Sequence, residues 1–154
     1  MRSMIEPVQY AARPVGWFAV EGAVGAVVAA FAVSQVLLLV AAGDNVHSWG
    51  SATVSSVAMA IAAGGWAFLV GVVARAVLAR LGRWDEVSAR ERGFAVLHAV
   101  GIGTAVPWIV LALVLGSWQA TTITIVVAVV AGAVAAWFAA RPLWAAERQD
   151  TLAR

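Results

Sequence analysis

The sequence contains neither cysteine nor lysine, and only 12% of its 154 residues are charged. Without cysteine the chain has no disulfide, no thiolate metal ligand, no iron–sulfur cluster and no cysteine nucleophile. Without lysine it has no glycine-rich phosphate-binding loop of the kind that ends in lysine. The low charge content also excludes an ordinary soluble domain, because such domains carry about 25% charged residues.

Long apolar sequence is abundant instead: 63% of the residues are hydrophobic, and the mean hydropathy is +0.91. Four apolar runs stand out, at residues 15–42, 52–74, 94–116 and 122–140. Each approaches or exceeds the roughly 20 residues that a helix needs to cross a hydrocarbon core of about 30 Å. The sequence therefore predicts an all-α membrane protein in which residues 1–154 form one domain, a bundle of four transmembrane helices, with a cytoplasmic loop at 75–93 and a short cytoplasmic tail at 141–154.

The arginines predict how the helices are oriented. All ten basic residues are arginine, and they lie before the first run, at or between the facing ends of the second and third runs, or after the fourth. The other two loops, at 43–51 and 117–121, contain none. By the positive-inside rule the arginine-bearing side is cytoplasmic, so both termini are expected there. Arginine codons are GC-rich, which indicates a GC-rich bacterial genome and hence the bacterial cell (inner) membrane.

The sequence lacks the residues, in suitable positions, that a catalytic, metal or cofactor site would need. The two histidines, His47 and His98, are predicted near opposite surfaces, so they cannot hold one zinc or haem iron together. No serine, histidine and carboxylate share one side at a common depth. A net charge of +2 gives no reason to expect a nucleic-acid partner. We therefore predict no enzyme activity, no metal and no cofactor.

Small residues at helical spacing predict tight packing within or between chains. One stripe on the first helix is predicted to face protein, and it consists of Glu21, Gly25, Val28, Ala32 and Gln35. The glycines predicted to lie in helix–helix contacts are Gly25, Gly64, Gly71, Gly101 and Gly132.

Glu21 is the only acidic residue inside an apolar run, and an acid in a membrane helix needs a cation, a donor or water. Arg75, at the inner end of the second helix, and His98, early in the third, fall at a similar depth. We expect these three residues to form an ionisable cluster near the cytoplasmic surface. An ion pair that locks the helices together is the preferred interpretation, and a site that binds a cation or passes a proton is the alternative.

Pro107 interrupts the third apolar run and predicts a kink there. Proline has no N–H, so it cannot donate to the carbonyl of Gly103 one turn earlier. A hinge and a static bend are both compatible with this position.

Two segments resemble each other and raise the question of an internal repeat. Residues 18–25 and 94–101 share Phe-Ala-Val at their start and Ala-Val-Gly at their end. Tandem duplication of a two-helix hairpin would place two parallel halves about an axis along the membrane normal. Chance matching is the alternative, because the chain is rich in these residue types.

Two classes of function follow from this inventory. The first is a non-catalytic membrane protein that associates with itself or serves as an accessory subunit of a larger membrane complex. The second is a small transporter or channel that uses Glu21, and an acid in the first of four helices resembles the small multidrug transporters. The chain is longer than members of that family and lacks their later aromatic and glycine motifs, so no residue role is carried over.

The polar side chains in the outer halves of the helices are expected to bond to backbone carbonyls or to join neighbouring helices. Near the middle of the helices only Thr104 is polar. This distribution disfavours a polar path through one monomer.

The arginine distribution generates a topology prediction. Reporters fused after Val46 and after Gln119 should report an outside location, whereas reporters at Asp85 and after Gln149 should report an inside one. Paired alkaline phosphatase and fluorescent protein fusions measure this directly. A cytoplasmic signal from either arginine-free loop would contradict the four-helix arrangement with both ends inside.

Overall fold

The computed structural model describes residues 17–45, 47–80, 88–116 and 118–152, which form four α-helices. They are α1 (Trp17–Ala42), α2 (His47–Arg80), α3 (Ala89–Leu115) and α4 (Trp118–Leu152). These residues contain no β-strand, and each helix includes a segment of 22 residues or more that is apolar enough to cross a membrane. The prediction of four membrane helices is confirmed.

The helices extend beyond the apolar runs that predicted them. α2 continues to Arg80 and α3 already begins at Ala89, inside the predicted loop 75–93. α4 runs through Pro142 to Leu152, so the predicted tail 141–154 is largely helical. Hydropathy marks only the part of a helix that suits the hydrocarbon, and the polar sequence beyond it is rich in the helix formers alanine, arginine, glutamine and glutamate. The centre of the predicted loop, at 81–87, lies outside the described residues.

Local sequence fixes where several helices begin and end. The Ser88 hydroxyl accepts a hydrogen bond from the Glu91 N–H, and the Glu91 carboxylate accepts one from the Ser88 N–H, which forms a capping box at the start of α3. Gly43, with φ of 57°, follows the last residue of α1 and takes the left-handed conformation that glycine favours. A Cβ at Gly116 would lie 2.5 Å from the Ala112 carbonyl oxygen, so the turn from α3 to α4 requires glycine. These short turns make α1–α2 and α3–α4 antiparallel hairpins.

The bundle is held mainly by three helix pairs: α1 packs against α2 and α4, and α3 packs against α4. The contact between α2 and α3 is much smaller, and that between α2 and α4 is smaller still. The interior consists mainly of alanine, including Ala26, Ala67 and Ala135, joined by Val96 and Val100 of α3. Small interior side chains bring the backbones close together, which is how membrane helices gain packing energy without a hydrophobic driving force.

All five glycines predicted to mediate packing lie in close contacts between helices. A Cβ at Gly71 would lie 2.8 Å from the Ala19 Cα, which is backbone and cannot rotate away. The others would meet the following atoms: Gly25 the Phe138 ring at 3.1 Å, Gly64 the side chain of Val27, Gly101 the Ala136 Cβ at 3.3 Å, and Gly132 the Ala105 Cβ and the Gly101 carbonyl oxygen at 3.0 Å. The contacts connect α1 with α2, α1 with α4, and α3 with α4.

The predicted protein-facing stripe on α1 is wrong at its centre. The side chain of Val28 is 62% exposed and Ala32 is exposed, whereas Gly25 is buried and Glu21 and Gln35 are partly buried. The face that packs instead contains Ala19, Gly22, Ala26, Ala29 and Ala30. Lipid surrounds a valine as favourably as protein does, so the size of the side chain decides which face packs.

The glycine contacts generate a stability prediction with a matched control on the same helix. Gly71→Ala should lower the free energy of unfolding by about 1–3 kcal/mol, because the new Cβ would overlap the α1 backbone. Gly65→Ala should cause no loss, since nothing lies within 4 Å of a Cβ at that position. Thermal unfolding in detergent, followed by circular dichroism, gives the comparison. Equal stability of the two variants would show that the α1–α2 contact is looser than described.

Candidate functional site

Glu21 and Arg75 lie on different sides of α1. Arg75 follows Gly71 by one turn, on the side of α2 that meets α1 at Ala19. Glu21 directly precedes Gly22, which lies against α4. At 100° per residue, Glu21 is rotated by about 200° around α1 from Ala19. The contacts between α1 and α2 therefore do not direct the Glu21 carboxylate towards Arg75.

His98 does not face the bundle interior. Its side chain is exposed, and its Nδ1 lies 2.8 Å from the carbonyl oxygen of Phe94 in the same helix. Val96 and Val100, on the opposite face of α3, are the residues that enter the core. The packing thus gives the predicted cluster of Glu21, Arg75 and His98 no support. The sequence did not indicate the direction of each side chain, because one residue rotates a helical side chain by about 100°.

The carbonyl that Pro107 frees is used by a neighbouring helix. The indole N–H of Trp66 on α2 donates to the Gly103 carbonyl oxygen over 2.9 Å. Pro107 has no N–H to donate to this carbonyl, and α3 continues through the proline as one helix. A Cβ at Gly103 would lie 2.7 Å from a methyl carbon of Val70, so glycine also permits the close approach here. The three residues Trp66, Gly103 and Pro107 define what we call the α2–α3 tether.

A cleft of about 260 Å³ lies between α2, α3 and α4. It is on the side of the tether that is nearer to the α1–α2 and α3–α4 turns. α4 forms its floor, and α2 and α3 form its walls. The lining residues are Ala58, Met59, Ala62 and Ala63 of α2, Thr104 and Trp108 of α3, and Thr124, Val127, Ala128 and Ala131 of α4. Ala58 and Ala62 are exposed, so the cleft opens sideways from the bundle.

Most polar side chains elsewhere at this end are satisfied within the protein, as the sequence predicted. The hydroxyls of Ser34 and Ser56 donate to carbonyls of their own helices, at 3.2 and 2.9 Å. Thr121 donates to the Ala112 carbonyl across the α3–α4 turn at 3.0 Å. Gln35 donates to the Thr53 hydroxyl at 3.2 Å and joins α1 to α2.

Four buried side-chain atoms have no hydrogen-bond partner among the described residues: Gln35 Oε1, Trp144 Nε1 and two atoms of residues that line the cleft. Thr104 is only 1% exposed, and its Oγ1 has no hydrogen-bond partner among the described residues. The Nε1 of Trp108, one turn further along α3, is buried without a partner as well. A buried polar group left unpaired costs about 1–3 kcal/mol. The cleft therefore holds two unpaired polar atoms within an otherwise mostly apolar wall.

A second feature lies along the outer edge of the cleft. α2 exposes a row of small residues, Ser51, Ser55, Ala58, Ala62 and Gly65, which we call the open α2 face. Their spacing alternates between four and three residues, so they lie along one side of the helix. Nothing lies within 4 Å of a Cβ built at Gly65.

Sequence reasoning missed Trp66, Trp108 and the cleft itself. One signal was present, because both tryptophans lie inside apolar runs, whereas tryptophan in membrane proteins is typical of the interface. A tryptophan at depth needs an acceptor for its N–H. The free carbonyl of Gly103 was predicted, and its donor was not.

No group of three histidine, aspartate or glutamate residues within the described ranges is placed to hold a metal ion. No protein-family model, curated protein or solved structure matches this chain.

The tether generates a prediction that couples two residues. Trp66→Phe removes the N–H and should cost about 1 kcal/mol of stability, since the Gly103 carbonyl would be left without a partner. In a Pro107→Ala background the same change should cost clearly less, because residue 107 then supplies the helical N–H. Stability in detergent of the two single variants and the double variant yields the coupling energy.

Trp137 on α4, whose ring meets the Trp144 ring edge to face, provides the control, and Trp137→Phe should change stability by the same small amount in both backgrounds. An identical cost of Trp66→Phe with and without Pro107 would show that the indole N–H does not depend on the carbonyl that proline frees.

Proposed function

We propose that this chain is a non-catalytic protein of the bacterial inner membrane, with both termini in the cytoplasm, that acts by associating with other membrane helices. The association is with further copies of itself or, as an accessory subunit, with a larger membrane complex. The observation that carries the proposal is the open α2 face. Its small side chains are exposed on the outside of the bundle, and small residues of the same types form the close contacts between helices inside the bundle.

The spacing of the open α2 face supports a helix as its partner. Alternating steps of three and four residues average 3.5, the repeat that keeps one seam in contact when two helices cross at about 20°. The Ser51 hydroxyl already donates to the Ser48 carbonyl at 2.8 Å, so this part of the face requires no polar group from its partner. Close backbone approach would supply the association energy.

The polar inventory supports a role without catalysis. The buried polar residues among the described ones are Ser34, Ser56 and Thr104, and none of them is ionisable. A hydroxyl needs an adjacent base to act as a nucleophile. The same inventory disfavours the transporter alternative, because alanine and valine fill the core at the level of Glu21 and beyond.

The test uses one glycine on the open α2 face and one off it. Gly65→Leu should weaken association about tenfold, because the leucine would hold the partner helix away. Gly50→Leu is the matched control on the same helix, since Gly50 also has nothing within 4 Å of its Cβ but lies off the face. Energy transfer between labelled copies in liposomes measures self-association, and affinity purification in mild detergent identifies other subunits.

A heterologous partner that is lost with Gly65→Leu and kept with Gly50→Leu would assign the accessory role. The proposal is contradicted if the wild-type chain is monomeric in the bilayer and retains no partner, or if the two leucine variants behave alike.

A further inference from the structure

The two unpaired atoms in the cleft specify what a bound molecule must offer. The Trp108 indole N–H can only donate a hydrogen bond, and the Thr104 hydroxyl can donate or accept. The residues are four apart on α3 and therefore lie on the same face, and both line the cleft. A molecule that satisfies both must carry a hydrogen-bond acceptor, and a carbonyl oxygen, with two lone pairs, can accept from both groups.

The walls specify the rest of the molecule. Alanine, valine and methionine make up most of the lining, and none of the lining residues is charged. A charged ligand would therefore be buried without a counter-charge, at high cost. The occupant must be neutral and largely apolar.

Its size follows from the volume of the cleft. A protein cavity of about 150 Å³ accommodates benzene, and this cleft of about 260 Å³ has room for roughly two fused rings. Because the cleft opens sideways past Ala58 and Ala62, entry is from the hydrocarbon rather than from water.

The depth of the donors excludes a glycerolipid as the source of the oxygen. Trp108 and Thr104 lie seven and eleven residues before Leu115, the last residue of α3, which is about 10 and 16 Å along the helix at 1.5 Å per residue. The ester carbonyls of a phospholipid stay near the headgroups. The acceptor must belong to a molecule that enters the hydrocarbon completely.

We propose that the cleft between α2 and α3 binds a neutral ring compound that carries a carbonyl oxygen, a ketone or a quinone, and that Trp108 donates to this oxygen with Thr104 beside it. The cleft shares Ala58 and Ala62 with the open α2 face, whereas Trp108 and Thr104 lie outside that face, so variants of Trp108 and Thr104 test the cleft without altering the proposed association surface.

The experiment compares two probes of nearly equal shape. The full-length chain in nanodiscs is dialysed against 2-methyl-1,4-naphthoquinone or against 2-methylnaphthalene, which has the same rings and no carbonyl. Empty nanodiscs correct for partition into lipid. The chain contains no cysteine or lysine side chain to which the quinone would add. We expect saturable binding of the naphthoquinone, about tenfold tighter than that of the hydrocarbon.

Variants locate the site. Trp108→Phe should weaken naphthoquinone binding about tenfold and leave methylnaphthalene unchanged, and Thr104→Val should weaken it several-fold. Trp137→Phe, far from the cleft, is the matched control and should change neither. Ala62→Phe, at the exposed mouth, should exclude both probes while the thermal stability of the bundle is retained.

Several results would overturn the proposal. They are the absence of saturable binding above empty nanodiscs, equal affinity for the two probes, and a Trp108→Phe variant that binds the naphthoquinone like the wild type. Native mass spectrometry that finds a phospholipid retained by the wild type and lost in Ala62→Phe would also do so, as would a cross-link from Ala62 to a partner helix that the probe fails to displace.

Discussion

The indole N–H of Trp66 donates to the carbonyl that Pro107 leaves without a partner inside α3. In the hydrocarbon no water is present to satisfy such a carbonyl, so a neighbouring helix must do so. This bond joins α2 to α3 at one level, beside the close contact of Gly103 with Val70. The two helices are free to separate on either side of that level. The cleft exists because the seam is fixed at a point and not along its length.

The rest of the bundle is held by the small size of its side chains. Within each hairpin the helices are in extensive contact, and glycines such as Gly71 and Gly132 bring the backbones together. The two seams between the hairpins differ, because Gly22 and Gly25 close α1 onto α4 while α2 and α3 meet much less. If the hairpins arose by duplication, which the matching segments at 18–25 and 94–101 leave open, their equivalence has been lost at this seam.

The polar groups divide into two kinds that have different consequences. Ser34, Ser56 and Thr121 donate to backbone carbonyls and are part of the structure. Of the four buried atoms that have no partner within the described residues, Thr104 Oγ1 and Trp108 Nε1 belong to residues that line the same cleft, whereas Gln35 Oε1 and Trp144 Nε1 do not. In a medium where an unpaired polar group is costly, such a pair indicates a place that something else completes. The cleft is such a place, and it lies towards the opposite end of the bundle from Glu21.

The sequence by itself determined that four helices are apolar enough to cross a membrane and that Pro107 frees the carbonyl of Gly103. It also indicated that the serine hydroxyls donate to backbone carbonyls of their own helices. Each of these features depends only on residues that are near one another in the chain. The arginine pattern likewise predicts an orientation, which remains a prediction. The tertiary structure alone decided that Val28 faces outwards, that the His98 side chain is exposed and outside the core, and that Trp66 supplies the donor for Gly103. The physical reason is that these helices are apolar around most of their circumference. In lipid every such face is well solvated, so hydropathy specifies how deep a residue lies but not which way it points.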